Sequence, residues 1–317
     1  MLRLAIICVA LAAGAAAQAP EPLRIIFDTD LGNDIDDGLA LAMLHAFQSR
    51  REARLLAVTT TKDNPLVGPA IDAIDTFYGR PDIPIGVVKQ GKTPEGNPLL
   101  TALAGDGRFP HRLNDGRQAP DAVDVLRRTL EAQPDGSVTI VQVGFSTNLA
   151  RLLEKDRALA AKKVRLLVMM AGDFSGGQPE FNVRVDVPAA QRVFREWPSP
   201  VVVSGFEIGK DILFRASTVE RGFAYVERHP VAEAYRAYKK MPYDRPSWDL
   251  TAVLYAVRPD GGYFSLSEGG TVEVDGRGAT TFHASPGGRH RYLTASAEQR
   301  ARALEACEDL ASEPPGR

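Results

Sequence analysis

Apolar runs of strand length alternate with amphipathic, helix-length stretches over most of this chain. The pattern predicts strands at Arg24–Phe27, Arg54–Thr60, Ile83–Val87, Ser137–Val143, Val164–Met170 and Val201–Ser204. It predicts helices at Asp36–Phe47, Gly68–Tyr78, Asp121–Ala132, Asn148–Lys155 and Pro188–Arg195. Strands separated by helices favour parallel pairing through right-handed crossovers. We therefore predict an α/β fold with a mainly parallel central sheet and flanking helices.

The rhythm changes in three later regions. Lys89–Ala119 is rich in Gly, Pro, Asn and Arg, which indicates a long binding loop, a lid or an insertion. Residues 205–257 are predicted to be mainly helical. Tyr263–Leu293 is typical of a small C-terminal β-meander with Gly turns, and a helix is predicted after it at Ala295–Leu310. No linker divides the chain, so we expect residues 18–317 to form one domain.

The N-terminus has the pattern of a secretory signal peptide. Arg3 precedes an apolar stretch at Leu4–Ala13, and Ala15–Ala17 offers a cleavage site, so residues 1–17 are predicted to be removed. We expect an exported protein, periplasmic or secreted, with no membrane attachment once the signal is gone. Only Cys307 then remains, which excludes an internal disulfide and predicts a packing role. The formal net charge of −2 over 317 residues gives no sign of a nucleic-acid partner.

The segment that follows the first predicted strand is unusually acidic. Ten residues carry five carboxylates, at Asp28, Asp30, Asp34, Asp36 and Asp37. Such like charge at the end of a strand is unfavourable unless a cation lies within it, and a hard divalent ion with oxygen ligands is the usual solution. The alternative is a solvated acidic loop in which the Asp residues only cap a helix.

Three other metal-dependent or phosphate-binding motifs fit less well. An EF-hand loop needs Gly at its sixth position, Glu at its twelfth and a preceding helix, and this segment lacks all three. Phe27-Asp28-Thr29-Asp30 resembles the start of a haloacid dehalogenase type phosphatase, but Ala171-Gly172-Asp173 does not continue into the required acidic pair. No Gly-x-x-x-x-Gly-Lys-Ser/Thr sequence occurs, which excludes a P-loop.

Five motifs in order resemble the calcium-dependent nucleoside hydrolases of the inosine-uridine-preferring type. The first is the Asp-x-Asp-x-Gly turn followed by an Asp-Asp pair. The others are Val58–Asn64, Gly144–Ala150, Glu180–Val183 with Asp186, and Trp248-Asp249 before an apolar helix. The resemblance covers about residues 24–257. It implies hydrolysis of the N-glycosidic bond of ribonucleosides, with Ca²⁺ as cofactor, a small-molecule nucleoside as substrate, and a homodimer or homotetramer as the assembly found in many members.

The resemblance also implies residue roles. The calcium ligands would be Asp30, Asp37, Asp249 and the carbonyl of Thr147, and Asp30 would also be the general base. Substrate binding would fall to Asp36 and Asn64 at the ribose hydroxyls, Glu180 and Asn182 at the 5′ side, and Trp248 at the base. Asp28 would support the metal ligands. Because the acidic turn is two residues longer than the common pattern, Asp34 is an alternative ligand.

The residues themselves add local expectations. Asn148 suits the N-cap of the next helix, and Asp249 suits the first turn of another. Glu180 and Asn182 would face the same way if their segment were extended. Many relatives have His where this chain has Trp248, so the acid that protonates the leaving base is not assigned. Two rival functions stay open: a magnesium phosphatase of the dehalogenase type, and an exported ribosyl-binding protein without catalysis.

Overall fold

A ten-stranded sheet organises the computed structural model, which describes residues 21–316. The predicted signal peptide lies outside the described residues. The strands are β1 Leu23–Thr29, β2 Ala53–Lys62, β3 Ile85–Lys92, β4 Val138–Gln142, β5 Val164–Met170, β6 Val201–Ser204, β7 Leu213–Phe214, β8 Arg245–Pro246, β9 Ser265–Leu266, β10 Gly270–Val274, β11 Thr280–Ala284 and β12 His290–Thr294. The main sheet has the order β11-β10-β12-β6-β5-β4-β1-β2-β3, with β9 paired to β12, and β7 and β8 form a separate pair.

Helices cover both faces of the sheet. They are α1 Asp36–Ser49, α2 Val67–Phe77, α3 Pro98–Leu100, α4 Ala122–Glu131, α5 Thr147–Lys163, α6 Phe181–Val185, α7 Val187–Glu196, α8 Phe206–Lys210, α9 Ala216–Arg221, α10 Pro230–Tyr238, α11 Trp248–Val257 and α12 Ala297–Ala311. Successive residues of β1 point to opposite faces, as a strand requires: Ile25 and Phe27 join one buried cluster and Ile26 joins the other. The predicted α/β class is therefore confirmed.

The strands from β3 to β12 along this order pair in parallel. The antiparallel pairs of the main sheet are C-terminal: β12 with β9, β12 with β10, and β10 with β11. The predicted β-meander is present, but it is not a separate unit. Its last strand, β12, pairs in parallel with β6 from His290 to Tyr292 and so extends the central sheet. Cys307 is buried in α12, as its packing role requires.

Several elements differ from the predicted secondary structure. β3, predicted at Ile83–Val87, runs from Ile85 to Lys92, and the predicted helical region 205–257 also contains the short strands β7 and β8. The predicted loop at Lys89–Ala119 begins with the end of β3 and contains α3, a π-helical turn at Thr101–Gly105 and a 3₁₀ turn at Gly116–Gln118. α5 runs to Lys163 rather than Lys155, with a break in helical geometry at Asp156. Within residues 21–316, no helix combines the length and apolarity needed to cross a bilayer.

The strand order places the acidic turn at a special point. β1 lies between β4 and β2, so the chain leaves β1 on one side and later returns on the other. In open α/β sheets, a crevice forms at the carboxyl ends of the strands where the order reverses in this way. The carboxylates that follow β1 lie at that crevice.

Candidate active site

The acidic turn is a compact bend between β1 and α1. The amide of Asn33 donates to the carbonyl of Asp30 at 3.1 Å, and Gly32 has φ of +105°. A side chain at position 32 would be strained at this φ, and its Cβ would lie 2.7 Å from a methyl carbon of Leu100. Asp36 and Asp37 form the first turn of α1, where the helix dipole favours negative charge.

Asp28 is the deepest carboxylate of the group. Its Oδ1 accepts hydrogen bonds from Thr59 Oγ1 at 2.5 Å and from Asn148 Nδ2 at 2.8 Å, while its buried Oδ2 has no partner among the described residues. Burial raises the pKa of Asp28 to about 7. The expectation that Asn148 caps a helix was wrong: Ser146 precedes α5, and Asn148 instead turns its amide towards the acidic turn.

Asp37 lies next to the backbone of Asp30. Its Oδ1 accepts from the hydroxyl of Thr29 and from the Asp30 amide at 3.1 Å, and its Oδ2 is buried without a partner among the described residues. Burial and the charges of Asp30 and Asp36 raise the pKa of Asp37. Burial raises the pKa of Asp30 to about 8, and the charge of Asp34 adds to this shift.

Asp36 joins distant parts of the chain. Its Oδ1 accepts from Arg245 Nε at 3.1 Å and Nη2 at 2.7 Å, and its Oδ2 accepts from the amides of Trp248 at 3.1 Å and Asp249 at 3.3 Å. Although burial alone would raise the pKa of Asp36, Arg245 outweighs this effect and lowers it. All of these contacts hold the start of α11 against the start of α1. Asp36 therefore has a structural role, and its ribose-binding role stays a prediction.

Arg245 also pairs with Asp34, at 2.8 Å. One carboxylate oxygen from each of Asp34, Asp36 and Asp249 lies within 4.8 Å of the others. Burial and the neighbouring carboxylates raise the pKa values of Asp34 and Asp249. Asp34, the alternative ligand, therefore lies close enough to Asp36 and Asp249 for the three carboxylates to share a cation.

This donor set fits a hard divalent cation. Carboxylate oxygens are the ligands that Ca²⁺ and Mg²⁺ prefer. The unpartnered Oδ2 of Asp37 and the raised pKa values of its neighbours show carboxylates that are buried without enough positive charge to balance them. A cation among them would balance that charge.

A cavity of about 360 Å³ opens beside the acidic turn. The predicted site residues on its wall are Asp30, Asp36, Glu180, Asn182, Trp248 and Asp249. Asp34, Asp173, Arg184, Phe181 and Phe206 also line it. The cavity is large enough for a nucleoside-sized molecule, and its wall combines carboxylates with the aromatic rings of Phe181, Phe206 and Trp248.

Glu180 and Asn182 reach this cavity by a different geometry from the extended one expected. Glu180 is the N-cap of α6, and its carboxylate accepts the amides of Asn182 at 2.8 Å and Val183 at 3.2 Å. Burial raises the pKa of Glu180 to about 7, against the effect of these hydrogen bonds. Asn182 donates to the carbonyls of Val143 at 2.7 Å and Met170 at 3.2 Å. The helical turn, rather than strand alternation, sets both side chains on one wall.

Trp248 forms the aromatic part of the wall with Phe206. The two rings stack with centroids 5.4 Å apart, and the indole N–H donates to the Phe206 carbonyl at 2.9 Å. Asp249 follows in the first turn of α11, as expected. The indole N–H is therefore already used, and the Arg245 guanidinium lies over the Trp248 ring, 5.1 Å from its centroid.

Three predicted site residues do not line the cavity. Asp37 lies beneath it, beside Asp30. Thr147 begins α5, and its hydroxyl donates to Asp186 at 2.5 Å. Asn64 donates to the carbonyl of Pro94 at 2.8 Å and so contacts the segment that follows β3. Their metal and ribose roles stay predictions.

Some residues of the site were missed by sequence reasoning. Nothing in the sequence around Phe206 or Arg245 marks them as site residues, since aromatic and charged residues are common throughout the predicted helical region. Asp173 was considered only as part of an incomplete phosphatase motif, yet it lines the cavity at the end of β5. Although burial alone would raise its pKa, the amides of Gly176 and Ser175 lower it, so Asp173 is an ionised carboxylate. Its position three residues after the end of a central strand was the signal that could have found it.

Comparisons with known proteins agree with this geometry. A family model described as inosine-uridine preferring nucleoside hydrolase matches residues 25–310. A Schizosaccharomyces pombe protein described as uncharacterised is 32% identical over 263 residues, which is 75% of this chain and 81% of that protein. The pyrimidine-specific ribonucleoside hydrolase RihA of Salmonella typhi is 32% identical over 220 residues, which is 63% of this chain and 65% of RihA. The chain thus spans slightly less than two thirds of RihA.

A solved structure is similar over nearly the whole fold. The inosine-uridine preferring nucleoside hydrolase from Bacillus anthracis aligns with a TM-score of 0.72 at 19% identity, covering 92% of this chain and 99% of that one. At this identity, the likeness concerns the fold.

Proposed function

The chain belongs to the inosine-uridine preferring nucleoside hydrolase family and is a hydrolase of ribonucleoside N-glycosidic bonds, and we propose that Asp30 is its general base in a site built for Ca²⁺. The single observation that supports this proposal is the convergence of buried carboxylates on one cavity. The buried Asp30, Asp36 and Asp249 and the half-buried Asp34 line it from two segments that are far apart in the sequence. Nothing in the comparisons favours the phosphatase or the non-catalytic binding protein.

The residues proposed to hold the ion are Asp30, Asp37, Asp249 and the Thr147 carbonyl, with Asp34 as a further candidate. When bound, the ion supplies positive charge that keeps the carboxylates ionised and lowers the pKa of water. The chemistry of oxygen donors alone suits Mg²⁺ as well as Ca²⁺, and the resemblance stated above favours Ca²⁺.

The protein's own groups then divide the work. Asp30 takes the proton of the water that adds to C1′ and so acts as a general base. The ribosyl group becomes positively charged as the bond to the base breaks, because the electron pair of that bond leaves with the base, which then takes up a proton. Asp36 and Asp249 lie on the same wall and stabilise that charge electrostatically. Glu180 and Asn182 face the 5′ side of the sugar in this assignment.

The aromatic wall is the proposed place of the leaving base. Trp248 and Phe206 present stacked rings to the cavity, which suits the larger surface of a purine. We therefore propose that inosine or guanosine is a better substrate than uridine, in contrast to the pyrimidine-specific RihA relative. Export to the periplasm or outside the cell, and assembly into dimers or tetramers, are also proposed from the sequence.

The test is a product assay on the purified protein with calcium. We expect free base and ribose from a panel of inosine, guanosine, adenosine, uridine and cytidine, and loss of turnover in Asp30→Asn. A matched control is Asp260→Asn, because Asp260 is an exposed carboxylate in the turn after α11. Phosphate release from a phosphomonoester, or riboside binding without cleavage of any panel member, would refute the proposal.

A further inference from the structure

Lys62 is a buried cation that the proposed mechanism does not use. It ends β2, and only 2% of its surface is exposed. Buried lysines are rare unless paired, so its partners need explanation. Its Nζ donates to the side-chain oxygen of Asn33 at 2.9 Å and to the carbonyl of Thr93 at 2.8 Å. Neither partner is a carboxylate, so the lysine holds two neutral groups rather than forming a simple ion pair.

The contact with Lys62 determines which way the Asn33 amide points. A lysine ammonium can only donate, so it must face the amide oxygen and not the amide nitrogen. The nitrogen is thereby turned to the other side, where it donates to Asp30 Oδ2 at 2.7 Å and to Thr93 Oγ1 at 3.3 Å. A chain of two hydrogen bonds therefore runs from the ammonium to the proposed base.

These two hydrogen bonds leave one oxygen of Asp30 for the reaction. Oδ2 is occupied by Asn33, while Oδ1 accepts no hydrogen bond from the residues that the structure describes. Asp30 lines the cavity, so Oδ1 is the oxygen left to face the proposed cation and to receive a proton from water. If the Asn33 amide were reversed, its oxygen would face the carboxylate and repel it.

Backbone strain next to these hydrogen bonds supports a functional role for the contacts of Lys62. Thr93 has φ of +51° and Gln90 has φ of +53°. A β-branched residue in this region is an outlier that costs of order 1–3 kcal/mol and persists only when its surroundings fix it. Here Lys62 holds the Thr93 carbonyl, Asn33 contacts its hydroxyl, and Asp63 accepts the amide of Gly91 at 2.9 Å. Such strain gathers at functional sites.

We propose that Lys62 is a positioning residue for hydrolysis, because through Asn33 it fixes the orientation in which Asp30 receives the proton of the attacking water. This inference rests on the proposed role of Asp30. Lys62 does not touch the cavity and is not a catalytic residue. The competing explanation is that Lys62 only anchors the strained segment that follows β3.

A double-mutant cycle on turnover separates the two explanations. Lys62→Met is expected to lower kcat roughly 10- to 100-fold, as loss of an orienting partner typically does, with little change in KM. Asn33→Ala is expected to cause a loss of similar size. If Lys62 acts through Asn33, the double variant loses no more than Asn33→Ala alone. Independent, multiplying losses would overturn the proposal in favour of simple anchoring.

Lys92→Met is the matched control. Lys92 lies at the end of the neighbouring strand β3, is exposed, and undergoes the same loss of charge. It should keep native kcat and KM. Lys62→Gln keeps a neutral donor to the Asn33 oxygen and is expected to recover part of the kcat lost in Lys62→Met; no recovery at all would count against orientation of the amide.

A second readout needs neither substrate nor metal. In metal-free protein with its six asparagines labelled with ¹⁵N, the side-chain signal of Asn33 is identified by its loss in Asn33→Ala. We expect that signal to shift or double in Lys62→Met and to be unchanged in Lys92→Met. An unchanged signal would overturn the proposal even if kcat falls. If Asp30→Asn keeps native activity, the proposed function fails first; if Asp30→Asn is inactive and Lys62→Met is fully active, only this inference fails.

Discussion

Asp30→Asn should abolish hydrolysis and yet make the metal-free protein more stable. The side chain of Asp30 is only 5% exposed, and burial with the nearby charge of Asp34 raises its pKa to about 8 from an ordinary value of 3.8. An asparagine has nearly the same shape and can still accept the hydrogen bond from Asn33. The substitution therefore removes an unfavourable charge without removing a contact.

The magnitude follows from proton linkage. A carboxyl whose pKa is raised in the folded state contributes stability that is complete below the unfolded value and is lost as the pH rises towards the folded value. For Asp30 that window runs from about pH 4 to about pH 8. At pH 7, about three pH units above the ordinary value, the cost is at most about 4 kcal/mol. Because the neighbouring carboxylates share the effect, we expect roughly 1–3 kcal/mol, which for a domain of this size is a rise in Tm of roughly 2–5 °C.

The assay is thermal unfolding of chelator-treated protein between pH 5 and pH 8. The Tm of the native protein should fall as the pH rises, and that of Asp30→Asn should fall less. Asp173→Asn is the control with the opposite sign: although burial alone would raise the Asp173 pKa, backbone amides lower it, so the loss of this charge should destabilise. Equal or lower stability of metal-free Asp30→Asn across this range would show that the acidic turn carries no unfavourable charge, and the argument for a cation site would fail.

Three further outcomes are expected. Calcium added to chelator-treated native protein should stabilise it by about 2.7 kcal/mol when the free calcium concentration is one hundred times Kd, and should therefore raise its Tm. A Tm that does not depend on calcium would contradict the site. Asp36→Asn should lower the stability of the metal-free protein by roughly 2–4 kcal/mol, since it leaves Arg245 without its main partner. Asp34→Asn should not lower the stability. Equal effects of the two substitutions in urea unfolding would contradict this difference. Trp248→Ala should lower kcat/KM for inosine roughly 10- to 100-fold by removing the stacking surface shared with Phe206, while Trp248→Phe should lose less; native kinetics in Trp248→Ala would remove the base-binding role.

The order of strands and helices could be read from the sequence because the period of apolar residues reports local burial directly. β5 and β6 have the bounds predicted for them, and β1 and β2 differ by one or two residues at their ends. Gly144 of the Gly144–Ala150 motif can likewise be recognised from the sequence, but the reason for the glycine lies in the tertiary structure. A Cβ at Gly144 would lie 2.5 Å from Thr61 Oγ1, so the close approach of β4 to its neighbours requires the glycine.

What the sequence by itself determined is the α/β alternation, the acidic turn after β1 and the family motifs in their order. Only the tertiary structure decided how each carboxylate is used. Asp36 accepts hydrogen bonds from Arg245 and from Trp248 at the start of α11, which lie 209 and 212 residues away in the sequence. Lys62, at the end of another strand, orients Asn33. Periodicity cannot predict such pairings, because it records which residues are buried, whereas a hydrogen bond depends on where distant elements meet once the sheet has formed.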